Sequence, residues 1–219
     1  MSRTRTRTRS RAAPRLRPLR WMRGVRLLLV LAALGGGLWG LRQAEVFYPV
    51  AQPYDRALYD HWIDADGDCR DTRQEVLIRD SLSPVRLNDR GCRVIAGRWI
   101  DPYSGAVFTD PSRLDIDHLV PLAEAHRSGA DTWTEGRRRA YANDLSSPLT
   151  LVATGASANR SKADGDPLSW LPWPPDRWCA YTAAFVAVKA RWGLSQDRLE
   201  AWWTDAVLWT CDRVRPVGR

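Results

Sequence analysis

A histidine preceded by a carboxylate stands at the middle of the chain, and an asparagine and a lysine follow roughly forty residues later. These residues are Asp117, His118, Asn159 and Lys162. A carboxylate and an amide oxygen can hold one hard divalent cation between them. An imidazole can take a proton from water, and a lysine ammonium can contact a phosphate. The combination predicts a site that cleaves phosphodiester bonds.

The elements that would carry these residues can be predicted from the local patterns. Residues 113–118 alternate apolar and charged side chains, which predicts a strand that ends at His118. A second short strand is predicted over 149–152, and a helix over 157–163. Asn159 and the lysine three positions later would share one face of that helix. A β-hairpin crossed by a helix would hold the ion between the first strand and the helix.

The motif resembles a known family of nucleases. Asp117-His118 with Pro121, the strand 149–152 and the later Asn and Lys are similar to the HNH nucleases, also called His-Me finger or ββα-metal nucleases. Within that family the chain resembles an exported actinobacterial type, related to the C-terminal nuclease domain of modification-dependent (GmrSD-like) restriction enzymes. The resemblance extends over residues 54–192.

The resemblance also implies a role for each site residue and a cofactor. The cofactor would be Mg²⁺, Mn²⁺ or a similar divalent ion, and the substrate a nucleic acid, most naturally DNA. The implied roles are His118 as general base, Asp117 and Asn159 as metal ligands, Lys162 and Arg160 as phosphate contacts, and Asn143 as a brace for the loop between the strands. Asp115 lies on the same strand face as Asp117 and would either orient His118 or be a solvated charge.

The whole chain is expected to be an α+β protein with a ββα-metal core, a flanking hairpin and C-terminal helices. A capped helix is predicted over 72–81 and a hairpin around the turn 101–105. The helix after Pro121 should expose Glu124 and His126. In the last helix, over 195–209, the tryptophan-rich stripe is predicted to be core. That stripe consists of Leu199, Trp202, Trp203, Ala206 and Trp209.

The N-terminal part has the composition of a targeting segment. Residues 1–26 are basic, and residues 27–41 form an uncharged apolar run. The pattern predicts either a cleaved signal peptide or an uncleaved membrane anchor. In both cases the body would be exported, either secreted or held at the membrane with its domain outside. A linker over 42–53 and a nuclease-like domain over 54–219 would follow.

The charge of the body does not by itself favour nucleic-acid binding. The chain carries a net charge of +8, but ten of its 33 basic residues lie in the first 26 positions. The remainder has 23 basic and 25 acidic residues, a net charge of −2. Any contact with nucleic acid must therefore come from a local patch of positive charge.

The four cysteines are consistent with export. Cys69, Cys92, Cys179 and Cys211 form no CxxC pair, which disfavours a zinc site. Four cysteines permit three pairings, and the sequential one, Cys69–Cys92 with Cys179–Cys211, closes two short loops. Four free buried thiols are the alternative, which an oxidising compartment disfavours.

An acidic turn offers a second candidate ion site. Asp64, Asp66, Asp68 and Glu75 have the oxygen spacing of a calcium loop, but its glycine position is Cys69. A helix-capping turn is the simpler interpretation. The alternative to an enzyme is a non-catalytic exported module, in which this turn binds calcium and the tryptophan-rich half binds a partner. The sequence identifies no particular protein partner.

Overall fold

The computed structural model describes residues 50–214, and these form a mixed α and β structure. The described strands make three separate two-stranded antiparallel sheets. They are β1 (Arg86–Leu87) with β2 (Val94–Ala96), β3 (Trp99–Ile100) with β4 (Val107–Phe108), and β5 (Leu114–His118) with β6 (Leu151–Gly155). The described helices are α1 (Thr72–Asp80), α2 (Leu122–Arg127), α3 (Glu135–Ala142), α4 (Ala156–Lys162), α5 (Trp178–Trp192) and α6 (Arg198–Val214).

The pair β5–β6 lies between α1 and α4 and positions the residues of the motif. Its register pairs Leu114 with Gly155 at one end and His118 with Leu151 at the other. Apolar side chains of this pair, including Leu114 and Leu151, pack with Val76 of α1 in one hydrophobic core. The polar side chains of β5 instead contact α4, which begins directly after β6. Alternation along β5 therefore separates an apolar face from a polar face.

A second core holds α2, α3 and α5 together. Its buried members include Tyr59, Val120, Tyr141 and Phe185. Beside it lies a buried ionic cluster, in which Lys189 Nζ of α5 lies 2.8 Å from Glu124 Oε1 and 2.5 Å from Glu200 Oε1. A buried charge is costly unless it is paired, so the Lys189 ammonium makes the burial of both carboxylates possible. Burial raises the pKa of Glu200 to about 7.

Most predicted elements are confirmed, with one shift. The helix predicted over 72–81 is α1, and Asp71 caps it, because its carboxylate accepts a hydrogen bond from Gln74 N at 3.0 Å. The hairpin at 101–105 is β3–β4. The strand predicted over 149–152 is instead β6, and it runs on to Gly155. A Cβ at Gly155 would lie 2.9 Å from the Phe108 ring, so close packing requires glycine where β6 passes into α4.

Two predictions about buried and exposed faces are wrong. Glu124 and His126 are buried, because each bonds to a partner distant in sequence. The tryptophan stripe of α6 is not uniformly core, since Trp202 is 64% and Trp209 57% exposed. The inward face of α6 is a neighbouring stripe. It consists of Glu200, Thr204, Val207 and Cys211. This stripe has helical spacing too, so periodicity alone did not distinguish the two faces.

The sequential pairing of the cysteines is confirmed. Cys69 is bonded to Cys92 and Cys179 to Cys211. The second bridge ties α5 to α6. None of the helices within residues 50–214 is long and apolar enough to span a membrane. The predicted basic region 1–26 and apolar segment 27–41 lie outside the described residues, as does most of the linker.

Candidate functional site

His118 is buried at the end of β5, in a fixed orientation. Its Nε2 lies 3.0 Å from the carbonyl oxygen of Ala142, which can only accept a hydrogen bond. Nε2 therefore carries the proton, and Nδ1 keeps its lone pair. The ring stacks on Trp62 at 5.8 Å between centroids and lies 6.0 Å from the ring of Tyr141. Burial lowers the pKa of His118 to about 3, so the imidazole is neutral at physiological pH.

Asp117, the neighbouring residue, belongs to a buried network on the side of α4. Lys162 Nζ lies 2.8 Å from Asp117 Oδ2 and 3.1 Å from Oδ1, and it also donates to the carbonyl of His118 at 3.0 Å. The hydroxyl of Tyr103 donates to Oδ2 at 2.6 Å. Burial raises the pKa of Asp117 and lowers the pKa of Lys162, because both charged forms lose solvent. The lysine predicted to contact phosphate is thus turned inward.

Asp115 and Asn159 meet at the more accessible edge of the same face. Asn159 Nδ2 donates to Asp115 Oδ2 at 3.1 Å, and both side chains are half-buried. The structure therefore brings β5 and α4 together through two parallel pairs, Asp115 with Asn159 and Asp117 with Lys162. Among the described residues no hydrogen bond joins Asn159 to His118, whose ring lies against Trp62.

Arg160 is exposed on α4 and lines a cleft. This cleft has a volume of about 500 Å³ and also exposes Arg113, while Asp101 and Ser104 form part of its wall. The two guanidinium groups give the cleft a local positive character, which the overall composition of the body does not. The position is compatible with the predicted phosphate contact of Arg160.

Asn143 ends α3 and ties its neighbourhood to an earlier segment of the chain. Its Oδ1 accepts from Thr72 Oγ1 at 2.8 Å and from Ile63 N at 3.3 Å. Its Nδ2 donates to the carbonyls of Asp60 at 2.7 Å and Arg139 at 2.9 Å. Asn143 thus joins the loop that carries the Ala142 carbonyl to the segment that carries Trp62. The brace reaches outside the two strands, which sequence reasoning did not anticipate.

The acidic turn holds three carboxylates close together at the surface. One oxygen each of Asp64, Asp66 and Asp68 lies within 4.8 Å of the others, and Glu75 is not part of that group. Asp64 accepts from the backbone N–H groups of Gly67 and Cys69, each at 2.9 Å. Cys69 has φ of +71°, so it adopts the left-handed conformation that a calcium loop assigns to glycine. Burial raises the pKa of Glu75, and the three Asp charges raise it further.

Several residues around His118 had no sequence signal. His61 and Trp62 precede it by more than fifty positions, and Tyr103 bonds Asp117 from the β3–β4 turn. No periodicity or spacing links them to the motif. The one available hint is that His61 is one of only three histidines in the chain.

Comparisons with known proteins find a family and a relative for this chain. A sequence profile of the family described as "GmrSD restriction endonucleases, C-terminal domain" matches residues 71–201, more than half of the chain. An "uncharacterized secreted protein" of Arthroderma benhamiae is 40% identical over 158 residues, which cover 72% of this chain and 76% of the relative. No solved structure matches the chain.

Proposed function

Because the chain belongs to the family of the C-terminal domain of GmrSD restriction endonucleases, we propose that it is a metal-dependent HNH-type endonuclease. Its substrate would be a nucleic acid, and DNA is the first candidate. The observation that carries the proposal is the His118–Ala142 hydrogen bond at the end of β5, in a strand–strand–helix unit that also carries Asp117 and Asn159. In this proposal, that unit would be the ββα-metal core.

His118 would act as the general base. Its proton on Nε2 is committed to the Ala142 carbonyl, so Nδ1 can accept a proton from water. Burial keeps the ring neutral, so the Nδ1 lone pair is free, but a pKa of about 3 also makes the resting ring a weak base. A base with a low pKa gains strength when negative charge develops nearby, as it does on a phosphate under attack. Trp62 and Tyr141 fix the ring plane, so that the lone pair has one direction.

Oxygen donors on β5 and α4 fit a hard divalent ion. The amide of Asn159 donates through Nδ2 to Asp115, which leaves its Oδ1 without a hydrogen bond among the described residues. Asp117 accepts three contacts from Lys162 and Tyr103, and a carboxylate offers about four lone-pair positions. One position on Oδ1 therefore remains. Asp117 and Asn159 would hold Mg²⁺ or Mn²⁺, and Asp115 would orient Asn159.

A divalent ion held there would neutralise charge at the phosphorus and at the departing oxygen. Lys162 would contribute mainly by position, because its ammonium joins Asp117 to the backbone of His118 and so fixes the end of β5. Arg160, in its exposed cleft, is the better placed of the two for a phosphate contact. With little positive surface elsewhere, substrate binding would be weak and of low sequence specificity.

The protein would act outside the cell. Its two disulfide bridges persist in oxidising compartments, and the Arthroderma relative is described as secreted. Whether residues 27–41 are removed as a signal or kept as an anchor is tested by N-terminal sequencing of the exported protein. An N-terminus beyond position 41 would establish cleavage.

The decisive experiment measures conversion of supercoiled plasmid to nicked and linear forms. The chain is treated with EDTA and then supplied with Mg²⁺, Mn²⁺ or no metal, and single-stranded RNA is tested in parallel. We expect metal-dependent nicking that is lost in His118→Ala and retained in His126→Gln, which alters another buried histidine bonded to Tyr59. Folded protein that nicks with no metal offered, or equal nicking by His118→Ala, would contradict the proposal.

A non-catalytic exported module is the second candidate. The grouped carboxylates of Asp64, Asp66 and Asp68 and the exposed Trp202 and Trp209 favour it. Calorimetric titration with Ca²⁺ tests the first feature, with Asp64→Asn/Asp66→Asn as the matched control. Calcium binding together with absent cleavage of plasmid and of bis-(nitrophenyl) phosphate would favour this module over the enzyme.

A further inference from the structure

A second histidine, His61, lies beside His118 and belongs to the segment that precedes α1. The rings of His61 and His118 are 6.5 Å apart between centroids, and His61 also contacts Trp62, whose ring covers His118. Trp62 has φ of +60°, a backbone conformation rare for a bulky residue. Such strain persists where surrounding contacts impose it, and it clusters at functional sites.

The hydrogen bonds of His61 fix an arginine next to this pair of rings. His61 Nδ1 lies 2.7 Å from the carbonyl of Tyr59, so Nδ1 carries the proton and donates it. Its Nε2 then accepts from Arg56 Nη2 at 3.2 Å. The guanidinium is therefore anchored by His61, and it also hydrogen-bonds the side chain of Tyr54. Arg56 is exposed, so the remaining donors of its fork are available to a ligand.

The anchored arginine opens onto a cleft that can hold an anion. Its volume is about 380 Å³, and it is lined by Arg56, Ala57, Tyr59, Asp60 and His61. The nearby acidic charge of Asp60 is paired with Arg139 at 3.2 Å. Asn143 holds this segment by its bond to the Asp60 carbonyl, so the cleft is tied to the loop that orients His118.

We propose that Arg56, positioned by His61, binds a phosphate of the nucleic-acid backbone next to the one attacked at His118. The inference rests on the proposed nuclease function and names the substrate contact on this side of the site. A guanidinium suits the role because its planar fork bonds two phosphate oxygens at once. The strand would then run from the cleft of Arg56 across His118 toward the cleft of Arg160.

The test measures binding separately from cleavage. A fluorescent 20-base-pair duplex is titrated with the full chain in the inactive His118→Ala background with Mg²⁺, and the dissociation constant is followed by anisotropy from low to moderate salt. Arg56→Ala should weaken binding roughly 10-fold and lower the slope of log Kd against log salt by about 1. Arg56→Lys should keep the slope, because the charge is retained. Arg198→Ala, an exposed arginine on α6, is the matched control and should change neither quantity.

The role of His61 is tested by a double-mutant cycle. If it acts through Arg56, His61→Ala should weaken binding, and the Arg56→Ala/His61→Ala double variant should bind no worse than Arg56→Ala alone. Circular dichroism establishes that each variant is folded. Additive effects would assign His61 a separate role and overturn the positioning inference.

The outcomes separate this inference from the proposed function. If the wild-type chain cleaves, His118→Ala does not, and Arg56→Ala binds as Arg198→Ala does, the nuclease stands and the Arg56 inference fails. If the chain binds the duplex through Arg56 but no metal supports cleavage, the phosphate site stands and the catalytic proposal fails. A chain that neither binds nor cleaves overturns both.

Discussion

Acidification should destabilise the protein through His118. Burial lowers the pKa of this residue from 6.5 to about 3, so in this range the unfolded chain takes up a proton that the folded chain excludes. The contribution of His118 to stability is therefore fully present above pH 6.5 and is lost as the pH falls toward 3. The difference in pKa corresponds to about 5 kcal/mol in total, of which about 2 kcal/mol is lost between pH 7 and 5.

The measurement is urea unfolding followed by tryptophan fluorescence at pH 7 and pH 5, for wild type and His118→Asn. Other groups titrate in both proteins and cancel. One of these groups is Glu200. Its pKa is raised to about 7 in the folded protein, so the folded state takes up this proton first and Glu200 adds to the free energy of unfolding as the pH falls. Wild type should lose about 2 kcal/mol more than the variant on acidification. Equal losses within about 0.5 kcal/mol would refute the neutral buried imidazole, and with it the base assigned to Nδ1.

Three further predictions concern the supports of the site. Lys162→Met should lower the free energy of unfolding in urea by about 3–5 kcal/mol, because it leaves the Asp117 carboxylate buried without its cation. Adding Asp117→Asn should recover at least about 1 kcal/mol. Strictly additive effects of the two substitutions would argue against a coupled pair. Replacing Cys179 and Cys211 together by Ser should lower the free energy of unfolding by about 3–4 kcal/mol, because the bridge closes a loop of 32 residues. Thermal unfolding measures this loss, and an unchanged Tm would contradict the prediction. Asn143→Ala removes four hydrogen bonds, so it should lower the free energy of unfolding by about 2–4 kcal/mol and slow plasmid nicking at least about 10-fold. Full activity of this variant would show that Asn143 does not hold the Ala142 carbonyl in place.

Local patterns predicted the framework of the site well. Three patterns specify short-range geometry: the alternation that ends at His118, the proline before α2, and the spacing of Asn159 and Lys162. The bounds of β5 and α4 agree with those predicted to within one or two residues. The cysteine spacing gave the pairing that the structure has. These features depend on neighbours within one element or on short loops.

Long-range partners were the source of the errors. Glu124 was expected on a solvated helix face. Arg127, three positions on, does contact it at 3.1 Å, but the full burial of Glu124 also depends on Lys189, which lies 65 positions away. Trp62 reaches His118 by tertiary packing alone. Lys162 looks like an exposed helical cation until Asp117 is placed beneath it. A carboxylate and a cation that are distant in sequence offer no periodic signal, so their burial could not be predicted.

The wall of the histidine pocket lies upstream of the segment that matches the family profile. That match begins at residue 71, whereas Trp62 covers the imidazole, and the backbone of Asp60 and Ile63 secures Asn143. A recombinant fragment of residues 71–201 would lack Trp62 and expose the His118 ring to water. The pKa of His118 would then rise toward that of free histidine. The fragment would also lose Cys69 and Cys211 and so leave Cys92 and Cys179 as unpaired thiols. Any transplantable version of this module must include Ala51 and Gln52, because the Ala51 N–H donates to Asp131 and the Gln52 carbonyl lies 2.8 Å from His126 Nε2.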